Sequence, residues 1–305
     1  MHRPETRRAT RNLRGALLVS AGVALFGVGD TIVKLVAERH GIPQIMAVRG
    51  VTFCLVVLAA MRVVREPLHA RAILDRGNLT RAALETLCVV LYLTAITLMP
   101  LGTANALILS SPIASAVLAA IVLRERVDLA RWAGVATGFL GVVLVTRPAG
   151  AMFGWAALLP LGAALAMAAN DIVTRRLDPG LGAGSVVLTT GLAIAACGFA
   201  LALPDWRPMA LGDVAALAGA GVILAAAYAC YIEGLRIGEI SLVGPFKYVG
   251  IPCTMLLGLL VWGDVPGPAT LVGSALVIAG GLLVLSRGRR SAAPAASTPD
   301  PLSGA

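Results

Sequence analysis

The sequence predicts an all-α integral membrane protein in which ten transmembrane helices form two inverted five-helix repeats. The first observation is composition, since 58% of the 305 residues are hydrophobic, 13% are charged and the mean hydropathy is +0.87. Soluble domains carry roughly 25% charged residues, so this chain has too few charges to cover a water-exposed surface. The other two observations are a series of apolar stretches of membrane-spanning length and a pattern that recurs in both halves.

Ten apolar stretches are long enough to cross a hydrocarbon core about 30 Å thick, which takes about 20 helical residues. The predicted spans are 15–36, 43–63, 82–99, 102–123, 129–147, 153–174, 183–203, 212–234, 239–262 and 267–286. We also predict a basic cytoplasmic tail over 1–14, repeats over 15–147 and 153–286, and a disordered cytoplasmic tail over 288–305, which is rich in Ala, Pro and Ser.

Positive charge is distributed unevenly between the two sides of these spans. With the N-terminus inside, 19 of the 25 Lys and Arg residues fall on the cytoplasmic side and three fall on the other side. Cytoplasmic loops carry an excess of Lys and Arg, so the bias predicts that both termini are cytoplasmic and that the protein lies in the cytoplasmic (inner) membrane. The net charge of +9 then reflects topology, and no nucleic-acid partner is predicted.

Two blocks of sequence recur in the same order at a nearly constant spacing. The block Asp30–Lys34 matches Asp171–Arg175 at an offset of 141 residues, and the segment Pro112–Arg147 matches Pro252–Arg287 at an offset of about 139 to 140. Each half holds five spans, and because five is odd, the halves enter the membrane in opposite orientations. Inverted repeats of this kind occur in many secondary transporters, whose substrate sites lie at the repeat interface.

Matching motifs in the two halves carry a family resemblance. The first runs from Ser111-Pro112 through Arg124-Glu125-Arg126 to Gly141, and the second runs from Pro245-Phe246-Lys247-Tyr248 through Asp264 to Gly280. Over residues 15–287 the chain resembles the EamA-type branch of the drug/metabolite transporter superfamily, which often has Glu where Asp264 stands. The resemblance implies ten helices, two EamA repeats, and transport of a small organic solute such as an amino acid, a nucleoside-like compound, a flavin or another metabolite.

Four ionisable side chains are the main candidates for substrate binding or gating, because charge inside a span is costly and marks a functional site by default. They are Asp30 and Arg49 toward the outer side, and Asp171 and Lys247 toward the inner side. We predict that the first pair helps to close the outer side of a cavity and that the second pair helps to close the inner side. Other charged residues of the spans are interpreted as reaching the membrane interface, namely Lys34, Glu85, Arg175 and Glu233.

Aromatic and amide side chains within the spans are candidates for lining a cavity that receives an organic solute. An unpaired polar group in lipid is costly, so these groups need partners or water. Ordinary helix packing and interhelical hydrogen bonds remain the alternative. The candidates are Tyr92, Asn105, Asn170, Tyr228, Tyr231, Phe246 and Tyr248. Proline removes a backbone donor and kinks a helix, so three prolines within spans are candidate hinges, namely Pro112, Pro245 and Pro252.

Together these features predict a secondary transporter that works by alternating access and hydrolyses no nucleotide. The sequence contains no Walker-type loop, and its cysteines and histidines form no metal-binding motif, so no cofactor is predicted. A membrane-embedded enzyme is disfavoured because no histidine lies in a span, and a non-transporting scaffold or assembly subunit stays open as the alternative. The solute, the transport direction, the oligomeric state and any coupling to protons through Asp30 or Asp171 also stay open.

Overall fold

The computed structural model describes residues 3–122, 129–146, 153–174, 176–178, 180–238 and 243–287. Within these residues the chain forms thirteen α-helices and two 3-10 helices, with no β-strand. The α-helices are α1 (Arg3–Ala37), α2 (Ile42–Val63), α3 (Ala70–Leu74), α4 (Arg76–Leu98), α5 (Leu101–Ile108), α6 (Ser111–Val122), α7 (Leu129–Thr146), α8 (Phe153–Ala156), α9 (Leu158–Thr174), α10 (Ala183–Ala202), α11 (Leu211–Ile237), α12 (Gly250–Trp262) and α13 (Pro268–Arg287). The 3-10 helices are Leu203–Asp205 and Gly244–Val249. The predicted tail over 288–305 lies outside the described residues.

Apolar helices of membrane-spanning length dominate this fold. By length and composition, six segments of the described chain are able to cross a membrane. They are Thr10–Ala37, Ile42–Val63, Arg76–Leu98, Ala183–Asp205, Leu211–Ile237 and Pro245–Trp262. Three shorter apolar helices accompany them, namely Trp132–Val145, Leu158–Thr174 and Pro268–Leu283. The all-α class with several apolar helices is confirmed, and the count of ten spans stays a prediction.

Three of the predicted spans are interrupted rather than continuous, namely 102–123, 153–174 and 239–262. The interruptions fall at Leu109–Ser110, Ala157 and Val249–Gly250. Pro112, Pro160 and Pro252 each stand in the first turn of the helix that follows, where the missing N–H would have lacked a partner in any case. The prolines therefore mark where each helix restarts. Pro245 likewise stands in the first turn of its 3-10 helix, so none of the three hinge candidates kinks the middle of a helix.

The ends of two long helices show how the chain satisfies their terminal groups. Helix α1 begins at Arg3 and so includes most of the segment 1–14 that we predict as a basic tail. In that segment, Arg11 Nη2 donates to the carbonyl of Ile237 at the end of α11 (3.2 Å), where a cation complements the helix dipole. At Gly263, α12 ends in the left-handed conformation (φ 71°), which glycine adopts without a steric penalty.

Helices from the two halves of the chain pack against one another throughout the bundle. Helix α1 packs along α11, α4 along α9, α2 along α10, α7 along α13, and α5 along α12. The sequence repeat relates α1 to α9, α2 to α10, α4 to α11, and α7 to α13. Exchanging these four pairs of related helices preserves the first four contacts, so that the α1–α11 contact becomes the α9–α4 contact. The two halves are therefore interleaved rather than placed side by side.

Glycines allow the closest of these helix crossings. A Cβ atom at Gly141 on α7 would lie 2.6 Å from the carbonyl oxygen of Gly273 on α13. A Cβ atom at Gly15 on α1 would lie 2.8 Å from the carbonyl oxygen of Gly234 on α11. Small residues let helix backbones approach closely in membranes, where association depends on van der Waals packing and interhelical hydrogen bonds. These glycines therefore set the spacing of two crossings between the halves.

Candidate functional site

A cavity of about 460 Å³ lies between helices of the two halves. Its walls come from α1, α2, α4 and α5 of the first half, and from α9, α10, α11 and the second 3-10 helix of the second half. This volume falls within the range of roughly 300–1,000 Å³ that is usual for sites of small organic ligands. A separate cleft of about 560 Å³ lies beside the α12–α13 connection, but Asp264 is the one ionisable residue in its lining.

One end of the cavity holds three buried polar side chains, which we call the Asp30 cluster: Asp30 on α1, Arg49 on α2 and Tyr92 on α4. Arg49 Nη1 lies 3.8 Å from Asp30 Oδ1, and the Tyr92 hydroxyl donates to Asp30 Oδ2 (3.1 Å). Asp30 and Arg49 are each only 8% exposed. A buried charge needs such compensation, and the cluster provides it with one cation and one hydrogen bond.

A second polar cluster surrounds Glu85 on α4. The Tyr228 hydroxyl on α11 donates to Glu85 Oε1 (3.2 Å), and the side-chain amide of Asn170 on α9 donates to Glu85 Oε2. The Thr174 hydroxyl donates to the Asn170 backbone carbonyl (2.8 Å) and also lies 3.3 Å from Asn170 Oδ1. Glu85 therefore joins a helix of the first half to two helices of the second half, through neutral hydrogen-bond donors.

Polar side chains near the Glu85 cluster give the cavity an accessible end. Arg81, one turn before Glu85, donates from Nη1 to the Thr190 hydroxyl on α10 (2.6 Å). Asp171 is exposed, and the Ser115 hydroxyl donates to its Oδ2 (3.4 Å). Lys247 is partly buried and also lines the cavity. Because the Asp30 cluster is buried, solvent reaches the cavity most readily from the Asp171 end.

An aromatic wall connects the two polar clusters. It consists of Phe26 on α1, Phe53 on α2, and Tyr228 and Tyr231 on α11, all of which line the cavity. The ring centroids of Phe26 and Tyr228 are 5.0 Å apart in an edge-to-face arrangement, and those of Phe53 and Tyr228 are 5.9 Å apart. These spacings are typical of favourable aromatic pairs. The rings offer an apolar surface for a planar ligand.

Beyond the Asp30 cluster, a set of polar contacts joins the two halves, and we call this set the clasp: Arg39, His40, Gln44, Arg207 and Asp213. Arg39 and His40 both contact the Asp213 carboxylate, at 2.9 Å and 3.0 Å. Gln44 donates to the backbone carbonyl of Arg207 (2.5 Å). The clasp connects the α1–α2 region to the start of α11, at the end of the cavity opposite its accessible end.

Most of the predicted site residues meet in this cavity. Those that line it are Asp30, Arg49, Tyr92, Asn105, Asn170, Asp171, Tyr228, Tyr231 and Lys247. Phe246 and Tyr248 are not among the lining residues, since Phe246 is 41% exposed and Tyr248 packs against Ala106 and Ile251. The reason is the 3-10 helix, whose tight turn points consecutive side chains in different directions, so that only Lys247 of the three reaches the cavity.

The lining residues that are not predicted site residues include Phe26, Phe53, Arg81, Glu85 and Thr190. The predicted topology places Arg81 in a cytoplasmic loop and Glu85 at the interface, whereas α4 begins at Arg76 and carries both side chains in the cavity wall. Their spacing is the signal that could have found them, because positions 81, 85, 88 and 92 share one helix face. Phe26 and Phe53 carry no signal that separates them from lipid-facing phenylalanines.

The polar groups of the cavity suit hydrogen bonding to an organic solute. The lining combines guanidinium, carboxyl, amide, hydroxyl and ammonium groups with the aromatic wall. Three lining residues keep a buried polar atom without a hydrogen-bond partner, namely Arg49 Nε, Arg81 Nε and Asn105 Oδ1. Across the part of the chain that the structure describes, no group of three or more His, Cys, Asp and Glu residues is placed to hold a metal ion.

Comparison with known proteins places this cavity within a family. The EamA-like transporter family matches residues 13–147 and again residues 154–286. The chain belongs to this family. Each match covers one EamA repeat, and helices from both repeats form the cavity. The predicted resemblance to the drug/metabolite transporters is therefore confirmed.

Relatives of this EamA-like chain include transporters of small metabolites. A riboflavin transporter of Vibrio cholerae is 29% identical over 274 residues, which cover 87% of this chain and 91% of the relative. A riboflavin transporter of Rhizobium johnstonii is 34% identical over 230 residues, which cover 72% of this chain and 73% of the relative. An S-adenosylmethionine uptake transporter of Rickettsia prowazekii is 20% identical over 196 residues, which cover 64% of this chain and 67% of the relative. A crystal structure that is 17% identical shares the fold, with a TM-score of 0.65 over 88% of this chain and 96% of that chain.

The family and its named relatives establish the general function. The chain is a membrane transporter of a small metabolite and not an enzyme. The apolar helices and the bacterial relatives agree with a place in the lipid bilayer of the inner membrane. The alternative of a non-transporting scaffold therefore has no support.

Proposed function

We propose that the chain is a secondary transporter of a planar heteroaromatic metabolite of the riboflavin class, which it moves by alternating access. The observation that carries this proposal is the aromatic wall of the cavity, with a polar cluster at each end. Aromatic pairs contribute about 0.5–1.5 kcal/mol beyond area burial, and a few placed polar groups orient a ligand in such a site. Two relatives named as riboflavin transporters support the same solute class.

The unpaired polar atoms of the cavity are able to form hydrogen bonds with the polar groups of such a solute. Riboflavin joins a flat tricyclic ring to a chain of hydroxyl groups, and one ring edge presents an acceptor, a donor and an acceptor in turn. Arg49 Nε and Arg81 Nε are donors, and Asn105 Oδ1 is an acceptor, and none of the three has a partner. A solute with polar groups at both ends would reach Arg49 at one end of the cavity and Arg81 at the other, and these polar atoms are otherwise costly to leave unpaired.

The proposal includes ten spans in two inverted five-helix repeats, with both termini in the cytoplasm. The helix contacts support the inverted relation, because they are preserved when the halves are exchanged. The interruptions at Leu109 and Val249 also support it, because they lie 140 residues apart, at the offset of the sequence repeat. Discontinuous helices at matching positions are typical of secondary transporters. The distribution of arginines supports this orientation.

In this orientation the accessible end of the cavity faces the cytoplasm, and the clasp and the Asp30 cluster lie on the outer side. Asp30 with Arg49 then acts as an outer gate in its closed position. Asp171 with Lys247 acts as the inner gate, supported by their shared place in the cavity wall. The helix restarts at Pro112, Pro245 and Pro252 are the proposed pivots.

Replacing Asp213 by asparagine is expected to expose the cavity to the outside. The change removes the charge that Arg39 and His40 contact, which weakens the clasp. The probe is a cysteine at position 194 in the cavity wall, introduced into a variant without the five native cysteines. In intact cells, this cysteine should react with an external membrane-impermeant thiol reagent about fivefold faster when Asp213→Asn is present than when it is absent. The reason is that the change removes about 1 kcal/mol of the free energy that keeps the outer side closed. Asp205→Asn is the matched control, because Asp205 is exposed in the 3-10 helix that precedes α11. Equal labelling of the two variants would contradict the role of the clasp.

Growth of a riboflavin auxotroph that lacks its own uptake system tests the solute class. Expression of the chain should allow growth on low riboflavin, and failure to grow despite normal insertion would count against riboflavin uptake. Phe53→Ala should raise the KM for riboflavin about fivefold, because an aromatic contact contributes about 1 kcal/mol. Phe139→Ala is the control, since Phe139 is 62% exposed and does not line the cavity. An equal KM for both variants would contradict the role of the aromatic wall.

A further inference from the structure

The carboxyl group of Glu85 is held differently from the other two carboxyl groups of the cavity. Asp30 is paired with Arg49, and Asp171 is exposed near the accessible end. Glu85 is only partly exposed, and both of its oxygens accept hydrogen bonds from neutral donors. No ion pair involves Glu85 among the residues that the structure describes. Its charge is therefore held without a matching cation in contact.

The two donors to Glu85 have different capacities, and this determines where a proton fits. A tyrosine hydroxyl donates or accepts, whereas an amide nitrogen only donates. The nitrogen of the Asn170 amide faces Glu85 Oε2, so this oxygen remains an acceptor in either protonation state. A proton on Glu85 Oε1 would instead be donated to the oxygen of Tyr228, with the hydrogen bond reversed. Both the charged and the neutral forms of Glu85 thus find partners here.

We propose that Glu85 is the proton-binding group that couples transport to a proton gradient, with Tyr228 as the partner that serves both of its protonation states. This inference rests on the proposed transport function and adds its coupling ion and the atom that carries it. It also replaces Asp30 and Asp171, which the sequence suggests for this role. The proton comes from water in the open cavity, binds at Glu85 Oε1, and returns to water on the other side of the membrane.

The position of Glu85 between the halves connects proton binding to movement. Glu85 belongs to α4, and its two donors belong to α9 and α11. A rearrangement of the halves separates these helices, and a carboxylate that loses its donors in a closed site is costly. A protonated carboxyl group is neutral, so no buried charge is left uncompensated when the donors are lost. Protonation therefore has to precede the step in which the halves separate.

The charged and titratable neighbours of Glu85 come from several helices. Asp171 from α9 and Tyr228 from α11 face it, and Arg81 and Cys88 flank it on α4. Helix α10 contributes the Thr190 hydroxyl, which engages Arg81. On the remaining sides, α1 and α2 contribute Asp30 and Arg49, which pair with each other. Arg81 and Asp171 are thus the charges that most directly influence the proton on Glu85.

Infrared spectroscopy of the purified protein tests proton binding independently of the solute. A change of pH should produce a carbonyl band of a protonated carboxyl group that is absent in Glu85→Gln. The band should move in Tyr228→Phe, because the hydroxyl partner is lost, and should persist in Asp171→Asn. Glu233→Gln is the matched control, since Glu233 is exposed at the end of α11 and pairs with Arg236. A titrating band that is unchanged in Glu85→Gln would overturn the inference.

Transport in reconstituted vesicles separates this inference from the proposed function. Glutamine preserves the shape and the hydrogen bonds of protonated Glu85, so exchange of labelled for unlabelled riboflavin by Glu85→Gln should proceed at the same rate with and without a pH gradient. The variant should lose net accumulation driven by a pH gradient, which reaches about tenfold per pH unit for one coupled proton. The inference would be overturned if Glu85→Gln still accumulated riboflavin in response to a pH gradient. It would also be overturned if the unmodified protein exchanged riboflavin but showed no response to a gradient. Absence of exchange in the unmodified protein would instead contradict the proposed function, and the infrared result would still decide the proton site.

Discussion

Replacing Arg49 by alanine is expected to abolish transport and to destabilise the protein by about 3–5 kcal/mol, because removing one member of a buried pair leaves the other charge uncompensated. Asp30 is 8% exposed and would keep only the hydrogen bond from Tyr92. Thermal unfolding in detergent and uptake in cells measure the two effects. Arg236→Ala is the matched control, since Arg236 is exposed in its pair with Glu233 and exposed pairs contribute about 0–1 kcal/mol.

The double variant Asp30→Asn, Arg49→Gln separates stability from transport. It removes both charges together, so we expect most of the lost stability to return while transport stays absent. Transport equal to that of the unmodified protein in Asp30→Asn, with normal membrane insertion, would contradict the outer gate. An Arg49→Ala protein as stable as Arg236→Ala would show that the pair carries no structural role.

Replacing Gly141 by alanine is expected to destabilise the bundle by about 1–3 kcal/mol, the usual effect of overpacking a tight contact. The new methyl group would lie 2.6 Å from a backbone oxygen of α13, and backbone atoms cannot move aside as a flexible side chain can. The yield of folded protein and its unfolding temperature in detergent should both fall. The α7–α13 crossing would have to open to admit the methyl group.

Gly219→Ala provides the matched comparison for this prediction. Gly219 lies in α11, and a Cβ atom there would meet nothing within 4 Å. Alanine has a higher helix propensity than glycine by about 1 kcal/mol, so this variant should be as stable as the unmodified protein or more stable. Equal unfolding temperatures for Gly141→Ala and Gly219→Ala would contradict the role assigned to the α7–α13 crossing.

The sequence was sufficient to predict the apolar helices and much of the cavity. Charge is so rare inside spans that Asp30, Arg49, Asp171 and Lys247 stand out, and all four line the cavity. The proline positions mark the interrupted helices in hindsight, but a proline in a hydrophobic stretch also occurs in a kinked continuous helix. The 3-10 geometry near Lys247 depends on tertiary packing, so the sequence does not show that Phe246 and Tyr248 lie outside the cavity lining.

The part that sequence could not predict is which face of each helix points inward. Lipid and protein interior are both apolar, so Phe26 and Phe53 look the same as residues that face lipid. Glu85 and Arg81 look like interface residues because they lie near the predicted start of a span. Only the packing of α4 against α9 and α10 shows that these two side chains enter the cavity.

Counterflow in reconstituted vesicles tests the central claim most directly. Vesicles loaded with unlabelled riboflavin and diluted into labelled riboflavin should accumulate the label transiently when they contain the protein, because the carrier exchanges solute through one site. Vesicles with Arg49→Ala should not accumulate it. The same experiment is done with labelled S-adenosylmethionine. If vesicles with the protein accumulate no more label than protein-free vesicles for either solute, the claim that this cavity carries a heteroaromatic metabolite across the membrane is contradicted.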